Sequence, residues 1–255
     1  MKVSLFITCL VDQFFPNVGI SMVRLLRQQG IEVDFPTVQT CCGQPAFNSG
    51  HTEEARQVAK TILDAFEDAD YVVTPSGSCA GMIHHYYPYL FQDDKRERKR
   101  VETLIEKTYE FSQFLVNVVK VRDLQGSFPY RVTYHPSCHG SRLLGIQEEP
   151  LLLLQQLKGI ELIPLPNQED CCGFGGTFSV KMSGLSSAMV KEKCDWILTT
   201  KAEVLVGTDM GCLMNIEGNL RQRQESIRVL HLAEILDEGV SAHANENRSA
   251  PSQAK

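Results

Sequence analysis

"TCCGQPAFNSG" (residues 40–50) and "DCCGFGGTFSV" (residues 170–180) carry the same Cys-Cys-Gly at two points about 130 residues apart. The match extends outward. "LLRQQGIEVDFP" from Leu25 resembles "LLQQLKGIELIPLP" from Leu153, "DYVVTPSGSCAGMI" from Asp70 resembles "AEVLVGTDMGCLMNI" from Ala202, and "YEFSQFL" from Tyr109 is echoed by "LHLAEIL" from Leu230. Each copy orders its cysteines alike: a lone Cys9, then Cys41-Cys42, then Cys79, and later Cys138, Cys171-Cys172 and Cys212. Self-similarity at a fixed spacing marks a duplicated structural unit.

Period and punctuation give each unit its elements. Val3 to Thr8 is apolar and β-prone, Val18, Met22, Leu25 and Leu26 fall at helical spacing up to Gly30, and Ile31, Val33 and Phe35 alternate as a strand. A helix from Thr52 and a strand at Tyr71-Val72-Val73 follow. The second copy repeats the order: a strand from Arg131 to Tyr134, a helix from Pro150 to Gly159, a strand from Ile160 to Ile163, a helix around Ser186 to Leu198 and a strand from Glu203 to Val206. Alternating strands and helices predict parallel sheets. The expected fold is α/β, two tandem Rossmann-like lobes in a pseudo-twofold relation: residues 1–125, residues 126–238, and a polar flexible tail over residues 239–255.

A net charge of -6 over 255 residues excludes an electrostatic grip on nucleic acid. The basic run from Lys95 to Arg100 is interrupted by Glu97 and reads as a solvated helix face. No apolar run approaches the roughly 20 residues of a membrane helix, so an integral membrane protein is not expected. Lys2 and the short apolar run after it lack a cleavage site, which predicts a cytoplasmic chain. There, nine cysteines serve more plausibly as thiolates on metal than as disulfides.

Each cysteine group follows the carboxyl end of a predicted strand, the edge where an open parallel sheet forms its ligand crevice. Adjacent cysteines chelate a single ion badly, because successive extended side chains diverge, but they suit a site with several metal atoms. Gly43, Gly173, Gly175 and Gly176 allow backbone N–H groups to approach inorganic sulfide. An iron–sulfur cluster is the leading reading. A zinc site and redox-active disulfides remain open beside it.

These residues resemble the CCG, or cysteine-rich, domain family, which includes the heterodisulfide reductase B subunit and the glycolate oxidase iron–sulfur subunit. The chain has no added C-x2-C-x2-C segment and is most similar to the lactate-utilization branch. The resemblance implies an electron-transfer subunit of an oxidoreductase system taking L-lactate to pyruvate, not catalytic alone, with a ferredoxin-like iron–sulfur subunit and a third subunit as partners. It assigns metal ligation to Cys9, Cys41, Cys42, Cys79, Cys138, Cys171, Cys172 and Cys212, beside the cofactor contact that the residues themselves lead one to expect of Gly43 and Gly173. The fuller family motif ends C-x-x-C, where this chain has Met82 and Asn215. That departure favours an ordinary 4Fe-4S cubane, or an incomplete or empty site, over the noncubane cluster of the reductase relatives.

Cys194 has no counterpart and shares a helical face with Val190, Ile197 and Leu198, which predicts a core position. His135 and His139 bracket Cys138, which opens a nitrogen-ligand or proton-donor role, but the first copy has no histidine at either place, so ordinary loop hydrogen bonds are the leading expectation. His84-His85 and Trp196 are expected to pack. No Ser-His-Asp pattern, phosphate loop with lysine or helical H-E-x-x-H is present, which argues against a self-contained hydrolase or kinase.

Overall fold

The computed structural model describes residues 1–249, with side chains as far as residue 242. Strands β1 (Lys2–Leu5), β2 (Glu32–Asp34), β3 (Val72–Thr74) and β4 (Thr108–Glu110) form one sheet in the order β2-β1-β3-β4. Strands β5 (Arg131–His135), β6 (Glu161–Ile163), β7 (Val204–Gly207) and β8 (Arg228–His231) form a second, β6-β5-β7-β8. Every pairing is parallel, with Val3 opposite Val33 and Val132 opposite both Leu162 and Val204. The expected duplicated α/β architecture is therefore present. Each sheet also holds a fourth strand, β4 or β8, that no apolar run announced: Thr108-Tyr109-Glu110 and Arg228 to His231 are short and half polar.

Side-chain alternation along β1 divides the interior. Val3 and Leu5 turn to a core shared with Val132, Leu205 and Leu213 of the second half, while Phe6 faces a separate cluster with Ile62, Phe66 and Tyr87. Helix Pro16–Gln28 buries Val18, Met22, Leu25 and Leu26 at the expected spacing. Since each buried leucine removes roughly 1.5–3 kcal/mol of exposed apolar surface, a core common to both halves ties them together.

The two halves also exchange their last helices. Helix Leu232–Ser249, which follows β8, packs on Pro16–Gln28 of the first half, where Asp237 accepts hydrogen bonds from Ser21 Oγ at 3.0 Å and Arg24 Nη1 at 3.1 Å. Reciprocally, the helical turns Phe111–Gln113 and Phe114–Val119 pack on Glu149–Leu154, and Asn117 Nδ2 donates to Glu149 Oε1 at 3.0 Å.

The segment from Gly239, expected as a polar flexible tail, continues this helix as far as Ser249. Gly239 itself is pinned: its carbonyl accepts the Ser127 N–H at 2.9 Å, and a β-carbon there would lie 2.8 Å from Leu157. Residues 250–255 of that segment lie outside the described residues. Among the described residues no helix is long and apolar enough to cross a membrane.

Candidate metal centre

The strand ends deliver the cysteines as the sequence leads one to expect. Cys9 and Cys138 are the first residues of helices Cys9–Phe14 and Cys138–Arg142, just beyond β1 and β5. Cys79 and Cys212 lie in the first turns of Gly77–Gly81 and Met210–Gln222, beyond β3 and β7. Cys41-Cys42 and Cys171-Cys172 occupy the loops beyond β2 and β6. Amide groups of helix first turns favour negative charge, so these positions suit thiolates.

The sequence did not reveal how the two crevices relate. They face one another and merge: all eight cysteines line a single cavity of about 280 Å³ between the halves, with Thr8, Gln44, Ser76, His139, Phe174 and Asp209 also at its wall. Close backbone approach makes this arrangement. A β-carbon on Gly77 would lie 2.7 Å from Ser137 Oγ and 2.9 Å from Gly140 Cα, so only glycine lets the Cys79 and Cys138 helices meet.

Asp209 and Ser76 complete the join. Each caps the helix that carries a cysteine: Ser76 Oγ accepts the Cys79 N–H at 3.2 Å, and Asp209 Oδ1 accepts the Gly211 N–H at 3.1 Å. The other oxygen of Asp209 crosses the interface and accepts from Ser76 Oγ and Ser78 N–H, both at 2.9 Å. At the rim Gln44 Nε2 lies 3.3 Å from His139 Nε2, and Ser49 Oγ donates to Thr177 Oγ1 at 3.2 Å.

Within each half the sulfurs interact in series. Cys9 Sγ is 3.8 Å from Cys41 Sγ. Hydrogen bonds from Cys42 and Cys9, with help from the Gly43 amide, hold the Cys41 thiol down at about 3, a thiolate at neutral pH. Cys138 and Cys172 do the same for Cys171, at about 2, and the Gly173 N–H lies 3.4 Å from its sulfur. Their donors Cys9, Cys42, Cys138 and Cys172 are pushed up, first by that shared hydrogen bonding and then by burial. Each quartet is thus a preassembled thiol–thiolate array, the donor set that a multi-iron cluster requires.

The glycines act from beside the cavity. Gly43 and Gly173 have φ of +86° and +80°, and these left-handed turns aim their amides at Cys41 and Cys171. Gly175 and Gly176 lie at the wall itself.

Other residues sort clearly. Cys194 is buried in the core, its sulfur 3.7 Å from the Ile216 carbonyl, and does not line the cavity. Asn215 Nδ2 donates to the Cys172 carbonyl at 2.8 Å, a structural use for the residue that replaces a motif cysteine. His84 and His85 meet the carbonyls of Thr108 and Leu143. His135 and Lys193, both buried, stand where the first half has apolar residues. His135 is buried and held neutral, its imidazole pushed down to about 3 by burial and by Lys193. Lys193 is itself fully buried, with Nζ bonded to the Asn167 carbonyl at 2.8 Å.

Comparison with known proteins agrees with this geometry. The cysteine-rich domain model, CCG, matches residues 3–84 and 132–217. "Lactate utilization protein A 2" of Bacillus cereus (strain 03BB102) is 54% identical over 241 residues, 94% of this chain and 100% of the relative. "Lactate utilization protein A" of Geobacillus thermodenitrificans (strain NG80-2) is 55% identical over 237 residues, 93% of this chain and 99% of the relative. A hypothetical protein from Helicobacter pylori of known crystal structure superimposes with a TM-score of 0.62 at 10% identity over 94% of this chain and 49% of its own. This chain spans about half the length of that protein, and the likeness concerns the fold alone. With both repeats matched and relatives aligned from end to end, the chain belongs to the cysteine-rich CCG domain family.

Proposed function

We propose that this chain is an iron–sulfur electron-transfer subunit of a system that oxidises L-lactate to pyruvate. The single observation that carries the reading is the meeting of eight cysteines from both halves at one cavity. The substrate class comes from the relatives, whose names say lactate utilization. Cys9, Cys41, Cys42 and Cys79 would hold one centre and Cys138, Cys171, Cys172 and Cys212 the other, residues 1–125 and 126–238 acting as the two lobes. A four-iron cubane in each, when bound, supplies one-electron storage delocalised over its irons.

The chain's own residues prepare for that role. Cys41 and Cys171 already offer thiolates, while their neighbours release protons as metal binds. The amides of Gly43 and Gly173 lessen the negative charge on their sulfurs, which favours the reduced form. Among the described residues the cavity wall includes no lysine or arginine to hold a lactate carboxylate. Substrate oxidation accordingly falls to a partner, with a ferredoxin-like iron–sulfur subunit exchanging the electrons and a third subunit completing a cytoplasmic system.

The test is anaerobic purification with quantified iron and acid-labile sulfide, followed by electron paramagnetic resonance of the reduced protein. Iron, sulfide and a reduced-cluster signal are expected. Zinc without sulfide would replace this reading with a non-catalytic zinc-stabilised scaffold, and metal-free, reversibly oxidised thiols with a cysteine-based redox sensor.

A further inference from the structure

Resting on that cluster-binding reading, we propose that His135 is a metal ligand of the second half, joining Cys172 and Cys212 and giving that centre a nitrogen donor the first half lacks. His135 is 2% exposed, and neither ring nitrogen has a hydrogen-bond partner among the described residues. An unpaired buried polar group is costly, and this imidazole has two, which is the condition of a ligand without its metal. One ring nitrogen and the sulfurs of Cys172 and Cys212 all lie within 4.8 Å of one another.

The fold is able to satisfy a buried histidine when the role is structural. His231 Nε2 lies 3.1 Å from the Pro75 carbonyl, and its Nδ1 accepts the Ala233 N–H at 3.1 Å. His135 has no such arrangement. In the first half Phe6 stands in its place, three residues before the lone cysteine, and packs edge-on to Phe66 at 5.6 Å. The duplicated halves therefore differ at the one position where a donor meets the sulfurs from behind.

Imidazole is a good ligand for iron and zinc alike; at a four-iron centre, which takes one protein ligand per iron, it would stand in for one of the four thiolates, and that replacement raises a cluster's potential. The second-half centre is then the better electron acceptor of the two, and an electron entering the cavity settles there first.

The experiment uses full-length protein made with 15N-histidine, purified anaerobically, reduced, and measured by pulsed electron paramagnetic resonance with iron and sulfide quantified. A histidine nitrogen coupling of the strength of a direct metal bond is expected, lost in His135→Phe and kept in His139→Ala. His139 is the other histidine near these sulfurs, 3.6 Å from Cys138 Sγ, so if His135→Phe does not fold, the labelled parent and His139→Ala still decide. Iron and sulfide without a histidine coupling, with only the weak coupling of a hydrogen bond, or with a coupling that survives His135→Phe or disappears in His139→Ala, overturn the inference and leave the cluster reading standing. Absence of iron and sulfide overturns both.

Discussion

Replacing Asp209 with alanine tests whether the halves are joined at the cavity as described. The side chain is 6% exposed and makes three bonds: Oδ1 to Gly211 N–H at 3.1 Å, and Oδ2 to Ser76 Oγ and Ser78 N–H, both at 2.9 Å. Loss of a helix cap costs about 1 kcal/mol. Each buried bond to a charged acceptor contributes roughly 1.5–3 kcal/mol. The two cross-interface bonds share one oxygen and do not add fully, and Ser76 Oγ keeps Ser78 Oγ at 3.0 Å as an alternative partner. The expected loss is therefore about 4 kcal/mol, a large fraction of the roughly 5–15 kcal/mol that keeps a typical domain folded. Anaerobic urea unfolding measures it, with Ser76→Ala and the double variant closing a thermodynamic cycle. Because the lost bonds steady the turns before Cys79 and Cys212, iron per chain is expected to fall with stability. A change below about 1 kcal/mol, or a cycle without coupling between Ser76 and Asp209, would refute the account of the join.

Cys41→Ser and Cys171→Ser are expected to lower bound iron while Cys194→Ser leaves it unchanged; equal loss from all three in metal analysis would overturn the ligand assignment. Gly173→Ala is expected to destabilise by about 2–4 kcal/mol from left-handed backbone strain plus overpacking, since its β-carbon would meet the Ser186 carbonyl at 2.7 Å, whereas Gly43→Ala, with 3.2 Å to the Ala55 carbonyl, should lose less. The reverse order in denaturant midpoints contradicts the packing described. Burial pushes the Glu110 carboxyl up to about 7; with the folded value above the unfolded one, its contribution is complete below about pH 4.3 and is lost as pH rises through 7, about 3 kcal/mol by pH 8. Glu110→Gln, which still offers an oxygen to the Ser112 and Gln113 amides, should flatten the stability profile between pH 5 and 8 relative to the parent; parallel profiles would show that Glu110 does not titrate as a buried acid.

Much of this molecule is legible in the chain because its signals are local and doubled. The Cys-Cys-Gly copies, the apolar runs at Val3 and Arg131, and the helical spacing of Val18, Met22, Leu25 and Leu26 need no long-range knowledge, and the structure has parallel sheets where they predict them. What escaped depends on distant partners. Strands β4 and β8 are recognisable only once β3 and β7 exist to pair with them. Helix Leu232–Ser249 looks like a tail until Pro16–Gln28 lies beneath it. The merging of two crevices rests on Gly77 and Gly140, whose close approach no periodicity encodes, although the capping pattern of Ser76 before Cys79 and Asp209 before Cys212 was there to be read.

Duplication explains why the halves carry matching thiolates, and divergence explains why the two sets need not behave alike. Counted from the Cys-Cys pairs, Leu63 stands where Lys193 does; counted from the lone cysteines, Phe6 stands where His135 does. Leu63 and Phe6 pack among apolar neighbours. Lys193 instead binds the carbonyls of Asn167 and Gln168, at 2.8 and 3.3 Å, in the segment leading to Cys171-Cys172, so a buried cation holds that loop and acts on its sulfurs. A buried positive charge is costly to keep unless something negative compensates it, and here Asp170 and the Cys171 thiolate are the compensating groups. Under the proposed reading of two centres facing one cavity, that difference in field would lower the energy of added negative charge on the second-half side, and the asymmetry of the repeat would set a direction for electrons that identical halves would lack.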